Sequence, residues 1–298
     1  MEILLLINPV AGRQIMAQEE KKVLAVFEDA GHDATVVYTS LEISVKEQLA
    51  KYISDSTDML VCAGGDGTLN KVVCAVIELG LQILLGYLPA GSTNDFAVSL
   101  GLPKRPAAAV SLALSGEPRS LDAGKFGNGP YFVYVASFGA FTQASYTTTQ
   151  SLKNTIGHMA YIVEGMKELP NLKEYHVKVQ TEYESFEGDY VFGAVTNTSS
   201  IAGVIRLPGD QVKFDDGLME LALVKMPKNI GDFHRIVMSL LSGSYDPAVI
   251  TFRHVKWAEF SSDSDIPWSL DGEYASGGRE VKIEVLPKAF SLMLESQE

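Results

Sequence analysis

The chain has 298 residues, 46% hydrophobic and 20% charged, a length that suits two compact units better than one. Its formal net charge of −13 argues against broad nucleic-acid binding, which needs a cationic face. Cys62, Cys74 and the five scattered histidines show no metal-ligand spacing, and no stretch approaches the roughly 20 apolar residues of a membrane span.

The opening "MEILLLINPVAG" lacks the basic start of a secretion signal and reads as a first β-strand. A cytoplasmic protein with two buried, reduced cysteines is therefore expected, and the glycosylation sequon at Asn197 carries no weight. After the strand at 2–8, a helical stretch runs to the stop "DAGHD" at 29–33. Strand "ATVVYT" (34–39), helix "SVKEQLAKYI" (44–53), strand "DMLVCA" (58–63), helix "LNKVVCAVIEL" (69–79) and strand "QILLGYLP" (82–89) follow. Apolar strands alternating with amphipathic helices imply a parallel sheet covered on both faces. Ligands of such sheets sit beyond the carboxyl ends of the strands. The turns there are "NPVAGR" (8–13), "GGDGT" (64–68) and "PAGSTND" (89–95).

The pattern changes after Asp122. "RSLDAGKF" and "YFVYVAS" flank "GNGP" as a hairpin. From 174 onward, β-rich runs dominate: "EYHVKVQ", "DYVFGAVTN", "LMELALVKM", "VKWAEFSS" and "EVKIEVLP". Helices are expected near 151–169 and 229–242. In the first, Leu152, Ile156, Met159, Val163 and Met166 form an apolar stripe, read either as a core face or as an acyl-chain or membrane contact. The fold class is thus α/β in two domains. An N-terminal αβα domain with a parallel sheet covers 1–122, with 289–298 as a candidate completing segment. A mainly antiparallel, β-sandwich-like domain covers 123–288.

Strand, Gly-Gly-Asp-Gly-Thr, then helix suits phosphate. Glycines let backbone N–H groups line a concavity and the helix N-terminus adds positive charge. Asp66 would repel bare phosphate, so its natural companion is Mg²⁺. Taken alone, the same stretch reads as a tight turn with Asp66 or Thr68 capping a helix, and residues 92–95 read as N-caps. Asp271-Gly272 and Asp215-Asp216-Gly217 likewise read as turns, and Asp122 as an ordinary strand-edge acid. Neither the G-x-G-x-x-G nor the G-x-x-x-x-G-K-[ST] pattern is present.

In this order and spacing, "NPVAG", "GGDGTLN" and "GSTNDFA" resemble the diacylglycerol kinase catalytic domain, of the soluble bacterial lipid-kinase type. The resemblance continues through "LDAGK" (121–125), "TQASY" (142–146), "FDDGL" (214–218) and "LDGE" (270–273). It implies that Asn8, Thr39, Gly64, Gly65, Asp66, Gly67, Thr68, Leu69, Asn70, Ser92 and Asn94 contact ATP. It implies that Asp66 and Asp122 join a water–Mg²⁺ network, and that Glu273 is the general base toward a lipid hydroxyl. Asp216, with the backbone carbonyls of Lys213 and Leu218, would hold a second, structural Mg²⁺. Ser92 stands where the family has threonine but keeps the hydroxyl, and Lys71 stands where glutamate is common.

The implied reaction transfers the γ-phosphate of ATP to diacylglycerol or a related lipid at a membrane surface, giving phosphatidic acid. Transient membrane association and a homodimer are compatible with it; nucleic acid is not a partner. Two alternatives stay open: a soluble "GGDG" kinase such as an NAD kinase, and a nucleotide-binding regulator without catalysis.

Overall fold

The structure is a computed structural model that describes residues 1–12, 15–92, 94–140, 172–198, 200–201, 205–206 and 212–296. The helix expected at 151–169 and the stretch 142–146 lie outside the described residues. Two compact units divide the chain, Met1–Ala123 with Leu286–Glu298, and Gly124–Val285.

The first unit is built on strands β1 (Glu2–Ile7), β2 (Asp33–Tyr38), β3 (Met59–Gly64), β4 (Leu84–Pro89) and the end of a long C-terminal strand, Glu280–Leu294. They lie in the order β2-β1-β3-β4-C-terminal strand, and all four pairings are parallel. Alternate residues of a strand point to opposite faces. Ile3, Leu5 and Ile7 of β1 join Met59, Val61 and Ala63 of β3 in one apolar cluster. Helices α1 (Ile15–Asp29) and α5 (Pro106–Ser115) close that face through Met16, Val23, Phe27, Ala109, Val110 and Ala113. The intervening residues Leu4, Leu6, Leu60 and Cys62 are equally buried. Burial on both faces accounts for the continuous apolar runs.

Helix α2 (Val45–Tyr52) starts at a capping box, Ser44 with Glu47. Helix α3 (Asp66–Leu79) begins three residues earlier than the apolar period suggested, and α4 (Asp95–Ser99) is one short turn. Helix α5 is an addition to the sequence reading: Pro106 starts it, but its run of alanines carries little amphipathic period.

The second unit is antiparallel. Its strands are β5 (Glu117–Phe126, which enters from the first unit), β6 (Tyr131–Phe132), β7 (Val135–Gly139), β8 (Tyr175–Thr181), β9 (Ser185–Thr196), β10 (Ser200–Ile201) and β11 (Ile205–Arg206). They continue with β12 (Met219–Lys225), β13 (Ile250–Val255), β14 (Trp257–Ser262), β15 (Pro267–Leu270), β16 (Glu273–Ser276) and β17 (Glu280–Leu294). Helix α6 (Ile230–Ser242) lies between β12 and β13 in the chain.

Strand β9 serves two layers. Residues 185–190 pair with β8, which continues to β14 and β17, whereas residues 192–196 run between β7 and β12. The inner faces meet in one core, where Trp268 packs edge-on to Phe126, Phe138 and Phe260 at ring-centroid distances of 5.3, 5.0 and 4.9 Å. The α/β class with a parallel first sheet and a β-sandwich-like second part is what the sequence led one to expect.

The expected hairpin around "GNGP" is shorter than read. Only Gly124↔Phe132 and Lys125↔Tyr131 pair, and "YFVYVAS" splits into β6 and β7. The cause is a competitor for the ladder: the N–H groups of Val133, Tyr134 and Val135 donate to the Asp271 carboxylate.

Candidate active site

In the first unit the chain leaves β1 for β2 on one side and then returns for β3 on the other. This reversal opens a crevice beyond the carboxyl ends of β1 and β3, the place where open α/β sheets take ligands. Asn8 follows β1 directly. Its Nδ2 donates to Thr68 Oγ1 at 2.8 Å and its Oδ1 accepts from the Val10 N–H at 3.2 Å. Thr39, at the end of β2, donates its N–H to the Ile7 carbonyl at 2.8 Å.

Gly64 ends β3, and Gly65 is the extended N-cap of α3 without a side chain to close the helix. Thr68 and Leu69 turn their N–H groups back to the Gly65 carbonyl at 2.9 and 3.1 Å. Asp66 therefore lies in the first helical turn rather than at the tip of a loop. Its Oδ2 accepts the Asp95 N–H at 2.8 Å and its Oδ1 faces the Tyr87 hydroxyl at 3.5 Å. An acid in a first turn also answers the positive pole of the helix.

The "GSTND" turn packs backbone to backbone on this loop. A Cβ built on Gly91 would lie 2.5 Å from Gly65 Cα. Asn94 takes the left-handed conformation (φ 55°, ψ 49°), which asparagine tolerates better than most residues. Its side chain accepts the Gly91 N–H at 2.9 Å and donates to the Gly91 carbonyl at 3.0 Å. The amide expected to touch ATP thus closes its own turn. Ser92 is exposed beside it. Hydrogen bonds and contacts bring Asn8, Gly64–Thr68, Gly91, Asn94 and Asp95 into one region; the sequence marks Asp95 only as a cap residue, and Tyr87 escaped it. Tyr87 could have been found as the one polar atom in "LLGYLP".

Asp122 belongs to the same unit but to β5. It is fully buried, and its Oδ1 accepts the Lys288 N–H at 2.8 Å. A strand-edge acid in water would not be so enclosed, since a buried carboxylate needs donors to offset lost hydration.

In the second unit, Asp271 and Gly272 form the two-residue loop joining β15 to β16, with φ of 48° and 94°. Glu273 is the first residue of β16 and is exposed. Lys213, Asp216 and Leu218 precede β12. Asp216 Oδ1 accepts the Leu218 N–H at 3.0 Å across Gly217 at φ 76°. Two residues on, Glu220 is 1% exposed, its Oε1 lies 3.8 Å from His254 Nε2, and burial, helped by Asp216, pushes its carboxyl up to about 9. Glu220, too, escaped the sequence reading, although it is the lone acid in "LMELALV".

Among the described residues no three His, Cys, Asp or Glu side chains gather as a metal cage. The implied Mg²⁺ positions are of another kind, single carboxylates at Asp66, Asp122 and Asp216 with backbone carbonyls at 213 and 218. Their hard oxygens fit Mg²⁺, which keeps several waters and takes few protein ligands. No described helix is long and apolar enough to cross a membrane.

Residues 2–126 match the model of the diacylglycerol kinase catalytic domain, and residues 135–294 that of the YegS C-terminal NAD kinase beta sandwich-like domain. The chain is 31% identical over 269 residues to a diacylglycerol kinase of Bacillus subtilis, across 90% of this chain and 88% of the relative. It is 31% identical over 274 residues to one of Staphylococcus aureus, across 91% and 85%. The crystal structure of a diacylglycerol kinase from Bacillus anthracis superposes with a TM-score of 0.75 at 20% identity, covering 99% of this chain and 97% of that one. That last likeness shows a shared fold.

Proposed function

We propose, on the premise that this chain belongs to the diacylglycerol kinase catalytic-domain family and is a lipid kinase, that it transfers the γ-phosphate of ATP to the hydroxyl of diacylglycerol or a closely related lipid. The observation that carries the nucleotide part is the β1/β3 crevice, lined by Asn8 and by the uncapped start of α3. Uncapped N–H groups and the helix pole attract phosphate oxygens. Asn8, Thr39, residues 64–70, Ser92 and Asn94 are the proposed nucleotide contacts. The unit 1–123 with 286–298 is accordingly assigned to nucleotide and the unit 124–285 to lipid.

Phosphoryl transfer needs positioning, charge neutralisation and a base for the attacking hydroxyl. Asp66, oriented by the Asp95 N–H, and buried Asp122 are the carboxylates proposed to hold Mg²⁺ through water. Mg²⁺, when bound, supplies neutralisation of the charge on the phosphate oxygens. Glu273 takes the proton from the lipid hydroxyl as its oxygen attacks the γ-phosphorus, and ADP leaves with the electron pair of the broken bond. Asp216 with the carbonyls of Lys213 and Leu218 is proposed as a structural Mg²⁺ site. The lipid is presented at a membrane surface, which the protein meets transiently from the cytoplasmic side.

The second family match names an NAD kinase-like sandwich, so the test carries both acceptors. Labelled ATP is offered with diacylglycerol and other hydroxylated lipids in mixed micelles, and separately with NAD, while Mg²⁺ is titrated. Labelled phosphatidic acid, lost in folded Glu273→Gln and Asp66→Asn, is expected. Labelled NADP with no lipid product would replace this reading, and ATP binding without any transfer would favour a regulator.

A further inference from the structure

Among the described residues, Glu273 stands on an edge hairpin: strand β16 pairs with β15, and β15 joins β7 through three pairs, Trp268↔Phe138 to Leu270↔Ala136. Those pairs end at Leu270, directly before the Asp271–Gly272 loop. Asp271, two residues before Glu273, is 4% exposed. Its Oδ2 accepts the Val133 N–H at 2.6 Å, and its Oδ1 accepts those of Tyr134 and Val135 at 3.1 and 2.8 Å. Three successive N–H groups around one oxygen pair make a backbone anion nest, here filled by the chain's own carboxylate.

The nest is itself held. Tyr134 carbonyl accepts from Thr196 Oγ1 at 2.6 Å and from the Asn197 N–H at 2.8 Å, and the Asp271 N–H donates to the Val135 carbonyl at 2.9 Å. Val133, Tyr134, Thr196 and Asn197 are all buried. At the other end, positive φ at both loop residues gives the tight two-residue turn that sets strand register, and Leu270↔Glu273 is the pair that closes it. Asp271 therefore links the packed interior of its unit to the residue two positions away.

We infer that Asp271 is a positioning residue for the phosphoryl transfer, anchoring the β15–β16 turn in the 133–135 nest so that the Glu273 carboxylate is presented in one place. The inference rests on Glu273 being the general base. Turn chemistry alone would accept asparagine at position 271. The nest does not, because an amide offers one acceptor oxygen and turns an NH₂ group toward an N–H donor.

The test is Asp271→Asn, with Glu273→Gln and the double variant, in the full chain. A small displacement of a reacting group costs on the order of 10²-fold in rate. In Asp271→Asn the expected fall in kcat is about 10- to 100-fold, with KM for ATP within about twofold of wild type, since the nucleotide contacts are elsewhere. Adding Asp271→Asn to Glu273→Gln is expected to cost nothing further. Hydrogen exchange of the 267–276 segment is expected to quicken while β8 and β14 keep their protection. Unchanged exchange in that segment, normal kcat, or an equal loss in the Glu273→Gln background would overturn the inference. Near-normal turnover of Glu273→Gln would instead remove the base assignment, and quickened exchange in Asp271→Asn would still report the anchor. Asp271→Glu, which keeps a carboxylate for the buried donors, replaces the asparagine variant if that one fails to fold, with the same readings.

Discussion

Gly67→Ala separates what the fold needs from what a nucleotide needs. Gly67 lies in the first turn of α3, has an ordinary φ, and a Cβ built there meets nothing within 4 Å. Glycine in a helix is worse than alanine by roughly 0.5–1 kcal/mol, so the folded protein should gain up to about that much. If the crevice takes phosphate against this turn, the new methyl occupies the phosphate's place. Overfilling a close contact costs about 1–3 kcal/mol, equivalent to roughly 5- to 150-fold weaker ATP binding.

Gly91→Ala is the counterpart. Its Cβ would stand 2.5 Å from Gly65 Cα and 2.6 Å from Asn94 Oδ1, so the two turns must part. That strains the Asp95 N–H to Asp66 bond as well. Overpacking and a weakened charged hydrogen bond together should lower stability by about 2–5 kcal/mol. Urea unfolding and calorimetric ATP titration in Mg²⁺ read both quantities for both variants. Gly67→Ala that binds ATP normally would place the phosphates elsewhere, and Gly91→Ala that unfolds like wild type would refute the close turn packing.

Two more perturbations address the second unit. Glu220 has its carboxyl pushed up to about 9 by burial. A group raised in this way contributes stability that is fully present below its unfolded value of 4.5 and is lost as pH rises through about 9. The fall is at most about 1.4 kcal/mol per pH unit, so metal-free unfolding of Glu220→Gln should be flatter with pH than that of wild type. Parallel profiles would show that Glu220 titrates as an exposed acid. For the proposed structural Mg²⁺, a cation at 100 times its Kd that binds only the folded form stabilises by about 2.7 kcal/mol. Without nucleotide, Mg²⁺ should raise the unfolding midpoint of wild type by several degrees more than that of Asp216→Asn, which keeps only Asp66 and Asp122 for the cation; equal shifts in both would place the structural cation elsewhere.

Much of the candidate site was legible because it is local. Strand followed by glycines and a helix identified the 64–70 turn, and Asp-Gly identified the 271–272 turn, whose positive φ values the structure shows. Turn and functional readings of "LDGE" proved compatible, since Asp271 makes the turn and Glu273 follows it. The bounds of α3 were less legible. Gly65 is a poor helix former, yet its carbonyl accepts two N–H groups, so the helix starts before its apolar period does.

The sequence by itself determined the alternation of strands and helices in the first unit, the β-rich character of the second and the positions of the tight turns. Those properties follow from side-chain period and from φ preferences, which act over a few residues. Only the tertiary structure decided that residues 291–292 add a parallel strand beside β4 and that Asp122 is buried against Lys288. It alone brought the carboxylate of Asp271 to N–H groups more than a hundred residues earlier. A buried charge must find donors wherever the folded backbone presents them. That choice is made by packing, and it leaves no period in the chain to read.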